Sequence, residues 1–505
     1  MTMGFLRATA RYLFCATLIV APWMYGGTTA TSILVINWLL GLAMLLWIVE
    51  LSINRRRPKL PKLLIFLIVA LLAIGCWMTI NARSIYDAEF GTFALIKNVA
   101  ARAPGSFDYA ISAAWMIRVL VLLTTMLFVV DLSRDDKALL QLWWAIALAG
   151  ASISLLGLLQ KATGAEAILW QSSSPGYGTT FFATYYYHAN AGSFLNLVLP
   201  LSAGLAVRLF GIESNQVVRS ICLMALLLNL MAIAANTSRG AQLIAALILL
   251  ALLWQLGPRI FRGLSQAKKN IALGGAAAVL LMIFAVGQTA HLDQPVRRWE
   301  MLGEHVSADA RWSASCVAMS ALSDTGLFGS GPGTFRVVFP AYNEAANNLA
   351  GGTWRFLHED YLQIAMEWGW LGSALWAAIF FGGMANAVLC LRRQTAFRRG
   401  QRSDVRGQLR SPESASLATA SSSAGEQRFS PRTRLERARG SVSEFTQEWS
   451  WRRRLILPLA VIALAGVALH AAVDFPLQIA SIQLYVATYL GLCWGSTMWK
   501  GQSRK

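Results

Sequence analysis

The stretch FLHEDYLQIAMEWGWLG, residues 356–372, sets His358, Glu359 and Asp360 side by side directly before a long apolar run, where ionisable groups can serve a functional site. Helical spacing from His358 places Tyr361, Leu362, Ala365, Gly369 and Gly372 near one face, so the predicted helix has a histidine at its head and two small residues suited to close helix contact further on. An imidazole at a water boundary titrates near neutrality, which suits a general base acting on a hydroxyl. Capping is the simpler alternative, with Glu359 and Asp360 complementing the helix dipole in its first turn. A metal site is disfavoured, because three adjacent side chains rarely point at one ion and no second cluster completes a shell. Glu367, in the same run, is a candidate to line a cavity.

Other groups with chemical capacity lie at similar boundaries. Arg239, in NTSRGA, sits between two apolar runs, either as a clamp for an anion or as a snorkelling arginine that anchors a helix end. Arg311 in DARWSA, like Arg297 and Arg298, reads by itself as a solvated loop residue. His470 and Asp474, in HAAVDFPLQ, are four apart and share a helix face. Asp474 could orient His470, line a cavity or, because Phe475-Pro476 follows, end the helix. The tract YYYHANAGSFLNLVLPL, residues 185–201, joins three tyrosines to His188 and Asn190, either as an interfacial aromatic belt or as a platform for stacking sugars.

The elements that must position these groups follow from composition. The chain has 505 residues, of which 56% are hydrophobic and 14% charged, with 19 tryptophans. Apolar runs near 9–27, 31–51, 63–80, 111–131, 139–160, 189–209, 218–236, 240–257, 271–290, 362–390, 455–473 and 478–497 each approach the ~20 residues that cross a bilayer. The expectation is an all-α polytopic membrane protein with about twelve transmembrane helices. The net charge of +19 sits in short runs between apolar segments rather than on a basic face, so it reports topology and argues against nucleic acid as a partner. Five of the six cysteines lie in or beside apolar runs and Cys316 is alone in a polar one, which suits packing better than a disulfide framework. Arg7 and Arg11 precede an apolar stretch without a small-residue cleavage site, so the N-terminus reads as a first membrane helix.

Lys and Arg excess on the inner side orients the bundle. Arg55, Arg56, Arg57, Lys59 and Lys62, then Arg259, Arg262, Lys268 and Lys269, then Lys500, Arg504 and Lys505 all fall on one face if there are twelve spans. Four regions are expected: N-terminal helices over 1–160, a core over 161–390 containing a long outer loop at 291–361, a basic inner loop over 391–454, and a C-terminal pair of helices with its tail over 455–505. The inner loop, with its tract SPESASLATASSSAGEQ, lacks the apolar content for a core and reads as disordered or lying on the anionic leaflet. The outer loop is rich in Trp, Tyr and Phe, as functional loops of this length are.

Taken in order, HANAG, SRGA, DARW, GSGPGTF, HEDYLQIAMEWGWLG and HAAVDF resemble the motif series of the O-antigen ligase and polymerase family, bacterial membrane glycosyltransferases that use glycans linked to undecaprenyl diphosphate. The resemblance covers roughly 160–497; the N-terminal helices match in number more than in residues. It implies a multi-helix membrane glycosyltransferase (GT-C-like) fold in the bacterial inner membrane, with its active site on the extracytoplasmic face. It further implies that Arg239 and Arg311 hold the diphosphate, that His358 acts on the acceptor hydroxyl, and that the reaction is inverting and needs neither metal nor other cofactor. The expected partners are the undecaprenyl diphosphate-linked donor, a glycan or lipid-anchored sugar acceptor, the bilayer and other polysaccharide-assembly proteins. One position departs from the family pattern. Glu359 stands where Asn, Ser or Gln is usual, and a carboxylate there would favour protonated imidazole and weaken the base unless it points elsewhere. The motifs do not choose among ligase, polymerase and protein O-oligosaccharyltransferase. A transporter of lipid-linked glycan or of a small anion is the alternative from another class; against it, the two halves show no repeat and the polar groups gather at one face.

Overall fold

In lipid a backbone must satisfy its own hydrogen bonds, so the apolar runs become helices. A computed structural model describes residues 2–87, 89, 92–171, 180–212, 215–262, 310–408 and 455–499. The helices are α1 (Thr2–Trp23), α2 (Ala30–Ile53), α3 (Lys62–Ile80), α4 (Tyr109–Leu132), α5 (Asp136–Ala162), α6 (His188–Ile212), α7 (Gln216–Ala235), α8 (Arg239–Arg262), α9 (Ala310–Thr325), α10 (Phe335–Ala345), α11 (Asp360–Gln408), α12 (Leu457–Ala471) and α13 (Ala480–Gly495). Two short strands, β1 (Ser84–Asp87) and β2 (Thr92–Leu95), pair antiparallel between α3 and α4. Among the described residues nine helices, α1 to α8 and α11, are long and apolar enough to cross a membrane. Those nine with the shorter α12 and α13 account for eleven of the twelve expected segments; the remaining one, 271–290, lies outside the described residues. So does 409–454 of the expected inner loop, but α11 continues to Gln408, past the expected membrane end at 390, because the Leu, Arg, Gln and Ala that follow are good helix formers.

The bundle is built around α13, whose residues are buried from end to end and which packs on α1, α4, α6, α11 and α12. Close approach needs small residues: Gly491 of α13 meets Met126 and Val129 of α4, and Gly383 of α11 meets Trp494. The apolar window of α6 is 89% buried and that of α2 only 33%, so α6 belongs to the interior and α2 to the lipid-facing rim.

Connections at one end of the bundle are stitched together. Phe107 N–H donates to Ser330 O, Ser481 Oγ to Gly26 O, Thr184 Oγ1 to Pro22 O, Asn236 Nδ2 to His188 O and Leu477 N–H to Asp360 Oδ2. The opposite end holds the Arg55–Lys62 cluster. There Arg56 does more than report topology. Its guanidinium grips Asp131 of α4 at 2.7 and 2.8 Å and Glu50 of α2 at 2.9 Å, while Trp47 Nε1 donates to Asp131 at 3.1 Å. Both carboxylates are almost fully buried, and the two acids hold the guanidinium well above its ordinary value against the opposing effect of burial. Arg56→Met is expected to strand two buried carboxylates and destabilise the fold by about 3 kcal/mol, read as a lowered thermal midpoint in detergent; an unchanged midpoint would show that the pair holds nothing together.

Candidate active site

His358 stands just before α11, in left-handed backbone at φ +60°, so it is not the first residue of a helical stripe as the spacing suggested. Histidine tolerates this region better than most residues, but the strain is held by its surroundings. Three adjacent side chains diverge to three different tasks. His358 Nδ1 lies 3.0 Å from Asp474 Oδ1. Glu359 turns back onto its own helix and accepts from the backbone N–H of Tyr361 (3.3 Å) and Leu362 (2.6 Å), an N-cap. Asp360, fully buried, accepts from Leu477 N–H and Gln478 Nε2, both at 2.8 Å, and so latches α11 onto the turn between α12 and α13. Among the described residues no group of three or more His, Cys, Asp and Glu side chains converges as a metal site.

The carboxylate beside His358 is therefore Asp474, not Glu359. The spacing pairs Asp474 with His470, but the helix ends at Ala471, and in the following turn the Asp474 side chain swings to His358 while its N–H donates to His470 O at 3.0 Å. Burial alone would push the Asp474 carboxyl up; the bond and charge of His358, with the nearby Arg311 guanidinium, hold it below the usual carboxylate range. His470 is buried 2% exposed beside it, its Nδ1 without a partner among the described residues. Burial pushes the Glu359 carboxyl up, and its two backbone N–H donors oppose that. Since Asn also caps helices, Glu359→Asn is expected to change activity by less than about twofold and to leave its pH profile in place; a shifted profile would tie Glu359 to the imidazole after all.

Aromatic rings enclose the imidazole. Tyr187, Trp354 and Phe475 all present themselves edge-to-face to it, with centroids at 5.7, 5.7 and 4.5 Å. Tyr187 comes from the YYY tract, which is not an interfacial belt here. Tyr185 is fully buried, with its hydroxyl on Ser481, and Tyr186 stacks on Tyr25. The Tyr187 hydroxyl accepts from Arg311 Nη2 at 2.6 Å, and burial, then the Asp474 charge, push the phenol up so that it stays protonated. Arg311, a loop residue by sequence, sits in the first turn of α9 and is thus joined to His358 through one tyrosine ring.

His188 begins α6 beside Tyr187, ring centroids 4.9 Å apart, with Nδ1 on Thr180 O. The S-R-G turn docks there: Asn236 Nδ2 holds His188 O, and a side chain at Gly240 would touch Val473, next to Asp474. Arg239, half-buried at the head of α8, has a side chain with no hydrogen bond or ion pair among the described residues. Asn190 is buried, with Oδ1 unpartnered among the described residues. Two residues expected to line a cavity, Tyr361 and Glu367, do border one and also tie the scaffold together. Tyr361 donates to Ala468 O at 2.7 Å, tying α11 to α12. Glu367 accepts from the N–H of Gly333 (3.1 Å) and Phe335 (3.2 Å) and from Gln363, capping α10. The Gly-rich segment packs on that same turn of α11, where Gly369 breaks the helix at φ +61°, ψ −174°; a Cβ on Gly329 or Gly369 would strike the other's backbone. Gly369 thus breaks the stripe, and the close contact its size allows is with the Gly-rich segment rather than with another helix. Arg297 and Arg298 lie outside the described residues.

The structure joins His358, Asp474, Tyr187, Arg311 and His188 directly and sets Arg239 in the adjoining turn. Residues 224–377 match the family described as O-antigen ligase, a stretch that contains the S-R-G turn, Arg311, the Gly-rich segment and His358. The match supports a membrane role in glycan transfer for cell-surface polysaccharide assembly. No curated protein gives a match to the chain.

Proposed function

We propose that this protein transfers a glycan from an undecaprenyl diphosphate carrier to an acceptor hydroxyl, at the outer face of the bacterial inner membrane. The observation that carries the reading is the His358–Asp474 contact at 3.0 Å. A carboxylate on Nδ1 fixes the proton there and leaves the Nε2 lone pair as the base. The acceptor O–H gives its proton to Nε2 as its oxygen bonds to the anomeric carbon; the bond from that carbon to the diphosphate oxygen breaks, and its electron pair leaves with the diphosphate. Attack opposite the leaving group inverts the anomeric configuration. Arg311 and Arg239 are the cations for the charge that grows on the departing diphosphate, and a guanidinium fork suits phosphate oxygens. The Arg55–Lys62 cluster lies at the opposite end, which under the positive-inside rule supports an outer position for His358. The deciding experiment supplies purified protein with a lipid-linked donor and an acceptor and follows free undecaprenyl diphosphate. Its release together with elongated product is the expected result; donor carried across liposomes without product would favour transport instead.

A further inference from the structure

Near His358 a second cationic site has no role in the chemistry above. A cavity of about 360 Å3 is lined by Arg118 of α4, Arg336 of α10 and Arg355 of the loop before α11. Arg118 is 3% exposed; Nη2 donates to Gln478 O at 2.9 Å, Nε has no partner among the described residues, and the guanidinium lies over the Trp115 ring at 4.8 Å. Arg336 and Arg355 are exposed, and among the described residues none of the three has a carboxylate partner. Glu367 also lines the cavity, but both its oxygens are taken by Gly333, Phe335 and Gln363. An arginine deep in a membrane bundle that meets no carboxylate is costly and marks a functional site, here one that suits an anion.

Position gives that partner its class. Leu34 of α2 and Ile117 of α4 line the cavity and are 56% and 58% exposed on the lipid-facing rim, so the space opens sideways towards the acyl chains while Arg336 and Arg355 face water. Tyr187 stacks on the Phe475 ring at 5.6 Å and 7°, and Phe356 stacks on it at 4.9 Å and 22°. Arg311 is bonded to Tyr187, Phe356 lines the Arg118 cavity, and His358 meets the Phe475 ring that both contact, at 4.5 Å and 89°.

We infer that the Arg118, Arg336 and Arg355 cavity binds the phosphate of a lipid that carries the acceptor sugar. The inference rests on the glycan-transfer reading and narrows it. With the donor diphosphate held beside Tyr187, an acceptor anchored by its own lipid phosphate beside Phe356 meets it at His358. Such an acceptor favours ligation or polymerisation over protein glycosylation.

The test is binding to the full-length protein in detergent, followed by native mass spectrometry with dioleoyl phosphatidic acid as probe. That readout does not depend on catalysis, so a protein that transfers no glycan can still pass, and one that transfers glycan can still fail. Wild type and Lys59→Gln, a charge change at the opposite end, are expected to retain the lipid equally. Arg118→Gln should weaken retention at least about tenfold, a loss within reach of one charge-assisted contact. If Arg118→Gln does not fold, Arg336→Gln combined with Arg355→Gln, both at the exposed mouth, decides the matter with the same expected loss. Equal retention by folded variants overturns the inference. So does dioleoylglycerol held as tightly as phosphatidic acid, or inorganic phosphate displacing the lipid at equal concentration, which would assign the site to a free anion.

Discussion

His358→Ala is expected to lower the rate of glycan transfer by about 10^3-fold, the middle of the range for a positioned general base. The protein should still fold, because the neighbours of the imidazole are held by other means: Asp360 keeps the turn between α12 and α13 in place through Leu477 and Gln478, and Glu359 still caps α11. Alanine also keeps a Cβ in the left-handed backbone, so that strain remains. The measurement is kcat with purified enzyme, beside donor binding measured separately. A large loss of kcat with donor binding retained is the signature of a base; loss of both would mean that the imidazole holds the donor. In cells the same change should leave undecaprenyl-linked intermediates to accumulate, single repeat units for a polymerase and long chains for a ligase.

Asp474→Asn should cost nearly as much, about 10^2- to 10^3-fold in kcat with little change in KM, because an amide in this place allows the wrong imidazole tautomer. Asp474 touches no substrate atom in this account; it is a positioning residue, and its pH behaviour separates that role from simple packing. Its carboxyl is held below the usual range by His358 and Arg311 against burial. A depressed carboxyl contributes stability that is full above the unfolded value and is lost as pH falls through the folded one. The stability gap between wild type and Asp474→Asn should therefore be constant through neutral pH and close only below the ordinary carboxylate range. A gap that stays open in strong acid would mean that the charge does nothing.

The membrane helices were legible because bilayer thickness imposes a length and lipid forbids other backbone forms. Arg239, Arg311 and His358 were legible through short motifs. The links between them were not. Asp474 reads as the partner of His470 by helical spacing, and only the end of α12 at Ala471 frees it to turn towards His358. Tyr187 reads as a belt residue because an interfacial tyrosine and a buried one look alike in sequence; a hint was its place directly before His188 and the HANAG start of α6. The run of Glu359, Asp360 and Glu367 looked like chemistry, yet each satisfies backbone or side-chain donors at a helix end or turn, a need that any fold with many buried termini has. Arg118, midway along an apolar run, is the kind of intramembrane charge that marks a function in sequence alone.

The contact between His358 and Asp474 joins positions 116 residues apart. A ribosome adding about 5–20 residues per second needs on the order of ten seconds to make that stretch. Throughout that interval the nascent chain has its histidine but no carboxylate to set it, and no turn for Asp360 to latch. In the proposed reaction, competence waits for α12 and the turn after it, so a chain made only as far as α11 lacks its positioned base.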